Sequence, residues 1–599
     1  MNESIPSRAE VAIENTWDLS KLFPNDAAWE TALGEFAAAA EKIPSYRGTL
    51  GESAESLAAW LDFSKSLGML EERLGYYAML RQSEDEGDNA ARAMTGKLTM
   101  AAAKAQAESA WAAPELMAIN DRDMERFVAD PKLVEYRIYL SRLLRYKPHT
   151  LSDKEERIIA LHAEAEGTNS TTFSVLTNVD MDFGTIETTD GKRPLSQSTW
   201  SVFMENPDRD LRSRVYRTFY RHFDNHKNTL ASLYSGQVKL EVVRARIRGF
   251  SSARAAALFP DNVEEKVYDN LIDTVGANLG PLHRYYALRK KALNVAELRH
   301  YDVYVPLSSG VTKKTTWNEA VELITQALSP LGDKYALTLR DGLLGRWADR
   351  YENKGKRSGA FSAGSFSGDP YILMNYKEDS IRDLFTLAHE GGHSMHSYYS
   401  AKHNPFMQYD YTIFEAEVAS TFNEELLFRY MEKNSDPQDK ALKLYMTSKR
   451  ADDLLATLYR QTMFAEFEKR THELEESGTP LTVDVLRGEY RKLLEKYFGS
   501  LMVLEQESDL EALRIPHFYR AFYVYKYSTG ISAALALAER VLSGGRRERE
   551  DYFGFLKSGG SRFPIDSLKA AGVDMSSPEP VQSACAVFSR LVDELEAML

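Results

Sequence analysis

The sequence predicts a mainly α-helical protein with one small β-sheet. Strong helix formers fill long windows such as 90–113, 451–475 and 533–542, and proline is scarce at 20 of 599 residues. Only the stretch 355–376 turns to glycine, serine and strand-like spacing. With 43% hydrophobic and 27% charged residues, the chain has the make-up of a globular protein long enough for several subdomains, which excludes a disordered polymer.

From Trp29 to about Asn206 the spacing predicts successive amphipathic helices, interrupted at Pro44, Pro114, Pro131 and Pro148. No metal-binding or nucleophilic cluster falls here, and the alanine-rich run 100–107 reads as close helix packing. Residues 1–205 are therefore expected to form an N-terminal helical lobe, and 206–599 the part that carries chemistry. Between Ser358 and Tyr376, a Gly368-Asp369-Pro370 turn predicts two short joined strands. Helical spacing returns over Ile381–Tyr399, and a second helix is expected from about Thr412 to Lys433.

The net charge of −14, from 74 basic and 88 acidic residues, offers a polyanion little to hold, so no nucleic-acid partner is expected. The single cysteine, Cys585, cannot close an intrachain disulfide or build a thiolate metal cage. That points to the reducing cytoplasm and requires any metal to be held by histidine and carboxylate. The start, Met1-Asn-Glu-Ser-Ile-Pro, lacks the basic residues and apolar run of a signal peptide. Nor does any stretch reach the roughly 18 apolar residues of a membrane span.

Chemistry concentrates in Leu387-Ala-His389-Glu390-Gly391-Gly392-His393. Two histidines four apart on a helix share a face and can present ring nitrogens to one metal ion, and Glu390 stands beside them to hold an activated water. Ile381, Leu384, Phe385 and Ala388 supply an apolar stripe beneath. Gly391 and Gly392 each cost a helix about 1 kcal/mol relative to alanine, so something must approach the backbone closely there. A catalytic zinc takes three protein ligands and keeps one position open. On spacing alone the third ligand is open among Glu415, Glu417, Glu424 and Glu425. His396 and His403 compete, but a side chain seven residues beyond His389 does not easily reach the same ion, so His396 reads as a nearby polar group. Farther on, Tyr519, Tyr523, Tyr525 and Tyr527 could supply the hydrogen-bond donor that an oxyanion needs, with Tyr523 and Tyr527 four apart on one helical face.

Several segments together carry a family resemblance: Gly355-Lys-Arg-Ser-Gly-Ala, Pro370-Tyr-Ile-Leu-Met-Asn-Tyr, Phe385-Thr-Leu-Ala-His-Glu-Gly-Gly-His-Ser-Met-His-Ser, Glu417-Val-Ala-Ser-Thr-Phe-Asn-Glu and Ile515-Pro-His-Phe-Tyr-Arg-Ala-Phe-Tyr-Val-Tyr-Lys-Tyr. Weaker matches reach back to Asn15-Thr-Trp-Asp-Leu-Ser, and the whole resembles oligoendopeptidase F of the thimet-oligopeptidase-like zinc metallopeptidases. The resemblance implies a two-lobed helical fold with a deep central channel and a small sheet beside the active-site helix. It implies one Zn2+ per chain on His389, His393 and Glu417, with Glu390 as general base. It implies that His517 and a tyrosine, Tyr523, Tyr525 or Tyr527, face the substrate. It further implies that the strand near 360–366 pairs with a peptide backbone, so Ala360, Ser362, Gly364 and Tyr525 are expected to contact substrate. Gly391 stands where a bulkier apolar residue is expected, and Phe361-Ser-Ala-Gly-Ser-Phe replaces a tryptophan-containing strand; both departures bear on substrate preference.

The implied reaction is hydrolysis of internal bonds in short, unfolded oligopeptides. One rival is a zinc carboxypeptidase, for which Arg520 and Lys526 could hold the substrate's terminal carboxylate. Another is a non-catalytic peptide-binding protein with a structural metal, which would need a fourth protein ligand.

Overall fold

The computed structural model describes residues 5–308 and 314–599. It is mainly helical, as expected, with three small sheets among the described residues. No described helix is long and apolar enough to cross a membrane. Two compact units divide the chain, and neither is continuous: one comprises Met1–Pro148, Thr312–Asn434 and Leu537–Gly572, the other His149–Val311, Ser435–Ala536 and Val573–Leu599. The division expected near residue 205 thus falls inside the second unit, because apolar helix faces, not chain order, decide which segments share a core.

In the first unit, the N-terminal helices pack directly beneath the sheet that borders the histidine helix. The long helix α1 (Ala54–Glu84) starts at Ser53, whose side chain accepts the Ser56 N–H, and buries Leu57, Trp60, Leu61, Leu74, Tyr77 and Leu80 along one face. One buried cluster joins these residues to Trp17, Trp29, Ala363, Tyr371 and Leu373. Trp17 lies 6.4 Å from Phe361 and 6.3 Å from Tyr371, centroid to centroid, and its ring N–H donates to Glu84 at 2.6 Å.

The sheet has three strands. The two expected strands are β2 (Phe361–Gly364) and β3 (Pro370–Leu373), paired antiparallel with Phe361 opposite Leu373 and Gly364 opposite Pro370. A third strand, β1 (Ala348–Asp349), runs parallel to β3 and was not legible from its two residues. β3 is central and fully buried, with its proline at the first position, where no ladder N–H is lost. The buried Lys356 ammonium anchors this corner, pairing with Asp349 at 2.7 Å and donating to the carbonyls of Tyr351 and Met374 at 2.6 and 2.7 Å.

α2 (Ile381–His403) stands against the sheet and α3 (Ile413–Asn434) packs on α2, both within a few residues of the expected bounds. Ser380 caps α2 by accepting the Asp383 N–H, and Lys402 and His403 in the last turn complement the helix dipole.

The second unit is built from helices that include Arg209–Asn225, Lys227–Ile247, Glu265–Ala277 and Arg460–Glu476, and it takes residues 525–536 of the helix Tyr525–Ser543. Within it the buried Asp302 receives Arg209 and Arg212 at 2.8 Å each.

Candidate metal centre

Gly392 explains how α2 and α3 come close enough to share a site. A Cβ there would fall 2.4 Å from the Ala419 carbonyl oxygen and 2.6 Å from the Ser420 Cα, so the α3 backbone occupies the space of the missing side chain. At Gly391 the neighbour is the flexible Leu339 side chain, 3.1 Å from where a Cβ would stand. The Asn423 amide ties the helices further, donating to the Ala388 carbonyl at 3.3 Å and accepting from the Tyr335 hydroxyl at 3.0 Å.

Across this contact His389 Nε2, His393 Nε2 and Glu417 Oε2 converge. His389 lies 3.2 Å from His393 and 3.4 Å from Glu417, and His393 lies 3.7 Å from Glu417. Tetrahedral zinc with bonds near 2.1 Å holds its ligands about 3.4 Å apart, so these three atoms fit one face of such a tetrahedron. Among the described residues no further His, Cys, Asp or Glu joins the group, which disfavours a four-ligand structural metal.

The other carboxylates on α3 have separate partners. Glu424, two turns beyond Glu417 on the same face, accepts a hydrogen bond from His389 Nδ1 and so turns Nε2 inward. Glu415 bonds to the Thr412 hydroxyl at 3.3 Å, and Glu425 pairs with Arg429 at 2.8 Å. His403 Nδ1 meets the Tyr399 carbonyl at 2.7 Å. His396 corrects an expectation: instead of a polar neighbour of the metal group it is a packing residue. Its buried ring stacks on Tyr411 at 3.7 Å, and neither nitrogen has a hydrogen-bond partner among the described residues.

The electrostatics follow from burial and from the clustered carboxylates. Burial pushes the His393 ring down to about 4, which keeps its lone pair available. At His389 burial acts in the same direction but is outweighed by hydrogen bonds to Glu417 and Glu424, which hold the ring well above its ordinary value. Burial also opposes ionisation of Glu417, yet the two rings pull it down to about 2. Glu390, 7% exposed, is pushed up to about 7, first by burial and then by the charges of Glu417 and Glu424.

Of the residues expected to contact substrate, Ser362 and Gly364 lie on the edge strand β2, and Ala360 immediately precedes it. The Ser362 hydroxyl meets that of Ser394 at 2.8 Å, and its backbone N–H faces the Glu390 carboxylate. Gly364 lets β2 press against α2, since a Cβ would fall 2.1 Å from the Ser397 Cβ. Its carbonyl accepts the Tyr76 hydroxyl at 2.8 Å. Ser362 and Gly364 therefore turn their backbone groups away from β3 toward the free edge.

In the second unit His517, Tyr523 and Tyr527 cluster. The His517 ring is 6.2 Å from that of Tyr523 and 6.0 Å from that of Tyr527, and the two tyrosines are 5.4 Å apart with hydroxyls at 3.5 Å. The expected shared helical face is not the cause, because Tyr523 precedes the helix Tyr525–Ser543 and a turn brings it round. Burial, helped by the Arg520 charge, holds the His517 ring below its ordinary value. Tyr525 is a second correction: it is 0% exposed and packs on Tyr268 at 5.1 Å, so its side chain belongs to the core and not to a peptide-binding surface. Of the cations weighed for a carboxypeptidase, Lys526 pairs with Asp261 at 2.6 Å, and Arg520 lies over the Tyr523 ring at 4.2 Å.

Two orienting groups escaped the sequence reading, Glu424 in its actual role and the Ser362 amide. The first was within reach, since a seven-residue interval after Glu417 returns to the same helical face; the second depends on strand–helix packing that no local pattern encodes.

Comparison with known proteins gives a consistent picture. Residues 202–587 match peptidase family M3, and residues 115–183 match a family described as oligopeptidase F. The chain is 41% identical over 602 residues to oligopeptidase PepF of Bacillus subtilis, covering 99% of this chain and 89% of that protein. It is 40% identical over 594 residues to an oligoendopeptidase F homolog of Borreliella burgdorferi, covering 98% and 99%. Its fold is similar to the crystal structure of oligoendopeptidase-F from Enterococcus faecium, with a TM-score of 0.75 at 31% identity over 96% of this chain and 99% of that one.

Proposed function

The chain belongs to peptidase family M3 and is a metalloendopeptidase, and on that premise we propose that one zinc ion, held by His389, His393 and Glu417, serves the hydrolysis of internal bonds in short, unfolded peptides with Glu390 as general base. The observation that carries the reading is the triangle of ligand atoms, with sides of 3.2, 3.4 and 3.7 Å, against the about 3.4 Å that tetrahedral zinc requires. Two imidazoles and a carboxylate suit zinc better than calcium or magnesium, which favour all-oxygen shells. Zinc there supplies a Lewis acid for the scissile carbonyl and lowers the pKa of water to about 7.

The protein's own groups handle the proton. Glu390, with its carboxyl near 7, has the affinity to take a proton from water and return it to the leaving amine nitrogen. The Ser362 N–H keeps the carboxylate aimed. A peptide adding in extended form to the edge of β2 would meet the backbone of Ala360, Ser362 and Gly364 beside the groups already held by Glu390 and Tyr76. The family resemblance supports His517 with Tyr523 or Tyr527 as the donors to the developing oxyanion. The names of the relatives, oligopeptidase and oligoendopeptidase, support short peptides as substrates. The single, buried Cys585 supports a cytoplasmic location.

A C-terminally amidated, N-terminally acetylated peptide tests the reading against the carboxypeptidase alternative. We expect cleavage at an internal bond, read by mass spectrometry as one acetylated and one amidated fragment. Release of single residues from a free C-terminus, with the blocked peptide left whole, would refute it.

A further inference from the structure

Among the described residues, three non-glycine residues take positive φ: Asn262, Asn294 and Phe522, the last at +50°. Asparagine enters this region readily, whereas phenylalanine is sterically disfavoured there, so its surroundings must hold it. Two contacts do so. The Phe522 N–H donates to Glu468 Oε1 at 3.1 Å. The ring, 2% exposed, lies against His472 and Tyr268 with centroids 4.5 and 5.6 Å away.

Glu468 is itself an unusual acceptor. It is 0% exposed on the helix Arg460–Glu476, and its second carboxyl oxygen has no hydrogen-bond partner among the described residues. Burial, and then the Glu241 charge, hold its carboxyl well above the ordinary range. Glu241 is engaged by His472 at 2.8 Å. A carboxyl in such a place is costly unless it does something, and its one hydrogen bond here is to the strained amide.

The turn also sets where Tyr523 lies. Val524 and Tyr525 run into the core at 0% exposure, while Tyr523, between Phe522 and Val524, comes to lie 6.2 Å from His517 and 5.4 Å from Tyr527. We propose that Glu468 is a positioning residue: by binding the Phe522 amide it fixes the left-handed turn that holds Tyr523 beside His517 and Tyr527. The inference rests on the proposed reading that Tyr523 donates to the oxyanion. Backbone strain persists only where its surroundings over-determine it, and a donor displaced by about 1 Å loses most of its effect on rate.

The test is a set of kcat and KM measurements on zinc-loaded, full-length protein with a quenched peptide, for Glu468→Met, Glu468→Gln, Tyr523→Phe and the Glu468→Met/Tyr523→Phe double variant. Glu468→Met should lower kcat at least about tenfold with KM within about twofold. Glu468→Gln keeps an acceptor oxygen and should recover kcat to within about threefold of the parent. In the Tyr523→Phe background, Glu468→Met should add nothing. Should Glu468→Met fail to fold, Phe522→Gly permits the turn without enforcing it and should show the same selective loss of kcat. Additive losses in the double variant, or an unchanged kcat in Glu468→Met or Phe522→Gly, would overturn the proposal. A fully active Tyr523→Phe would remove the reading beneath it and is recognised from that single variant alone; any loss in Glu468→Met would then be a folding effect.

Discussion

Glu417 and Glu424 sit two turns apart on one face of α3 and act on opposite sides of the same imidazole: Glu417 stands 3.4 Å from His389 Nε2, and Glu424 accepts from Nδ1. Removing the first should abolish tight zinc binding, so Glu417→Ala should lose metal by elemental analysis. Glu424→Gln should retain the site but bind zinc about 10 to 100-fold more weakly, measured by competition with a chelating dye. Glu390→Gln should keep its zinc and lose at least about a hundredfold in kcat, because only the proton acceptor is gone. A zinc-free Glu390→Gln beside a zinc-bound Glu417→Ala would require the two roles to be exchanged. Buried Glu415 supplies a stability test. Its carboxyl is pushed up to about 7, chiefly by burial, against an ordinary 4.5. A raised carboxyl leaves the folded state unpenalised below the unfolded value, and the penalty grows as pH rises from about 4.5 to 7 and stays constant above. It reaches about 3 kcal/mol. Glu415→Gln should therefore stabilise the protein by up to that amount at pH 8 and by clearly less at pH 5, in urea unfolding. Equal gains at both pH values would contradict the assignment. At this scale the sequence was informative about which residue types meet. It could not say which of four glutamates faces the metal, nor that Tyr525 points inward, because Tyr523, Tyr525 and Tyr527 are identical in type and alternate closely along the chain.

The contact between α2 and α3 depends on a missing side chain. Gly392→Ala places a methyl 2.4 Å from the Ala419 carbonyl oxygen, and backbone cannot yield as a side chain can. We expect a loss of about 1 to 3 kcal/mol in stability together with weaker zinc binding, since the helices that carry the ligands must part. Gly391→Ala meets only the end of Leu339 and should cost less and leave metal affinity unchanged. Comparing melting temperatures and zinc titrations of the two variants checks both statements; equal effects would mean that helix propensity, not the close approach, governs the pair. Helices were the most legible elements: the bounds Ile381–His403 and Ile413–Asn434 follow a local apolar period and local caps. The strand β1 and the positive φ of Phe522 were not legible, the first because two residues pair with a distant strand, the second because only its neighbours in space hold it.

For the molecule as a whole, chain order is a poor guide to organisation. Residues 1–205 read as a separate N-terminal lobe, yet 1–148 fold in one unit with the metal-binding helices, and Tyr76 on α1 holds the carbonyl of Gly364 on the edge strand. Long-range apolar packing of this kind leaves no mark in a local pattern. The resemblance carried by motifs across the chain, by contrast, was legible because metal ligands must keep their spacing on one helix face. The proposed pairing of substrate with β2 sets a size rule, since an extended backbone is needed and a folded domain would have to unfold locally to supply one. One cleavable sequence should be cut as a free short peptide and spared inside a folded domain; equal rates would indicate an open, general protease. The central claim is the zinc-dependent chemistry of His389, His393 and Glu417, and reconstitution tests it most directly. Protein stripped with a chelator is titrated with zinc while bound metal and cleavage of a quenched peptide are followed in the same samples. The account predicts no cleavage without metal and full activity at one zinc per chain; full activity in the stripped protein would contradict it.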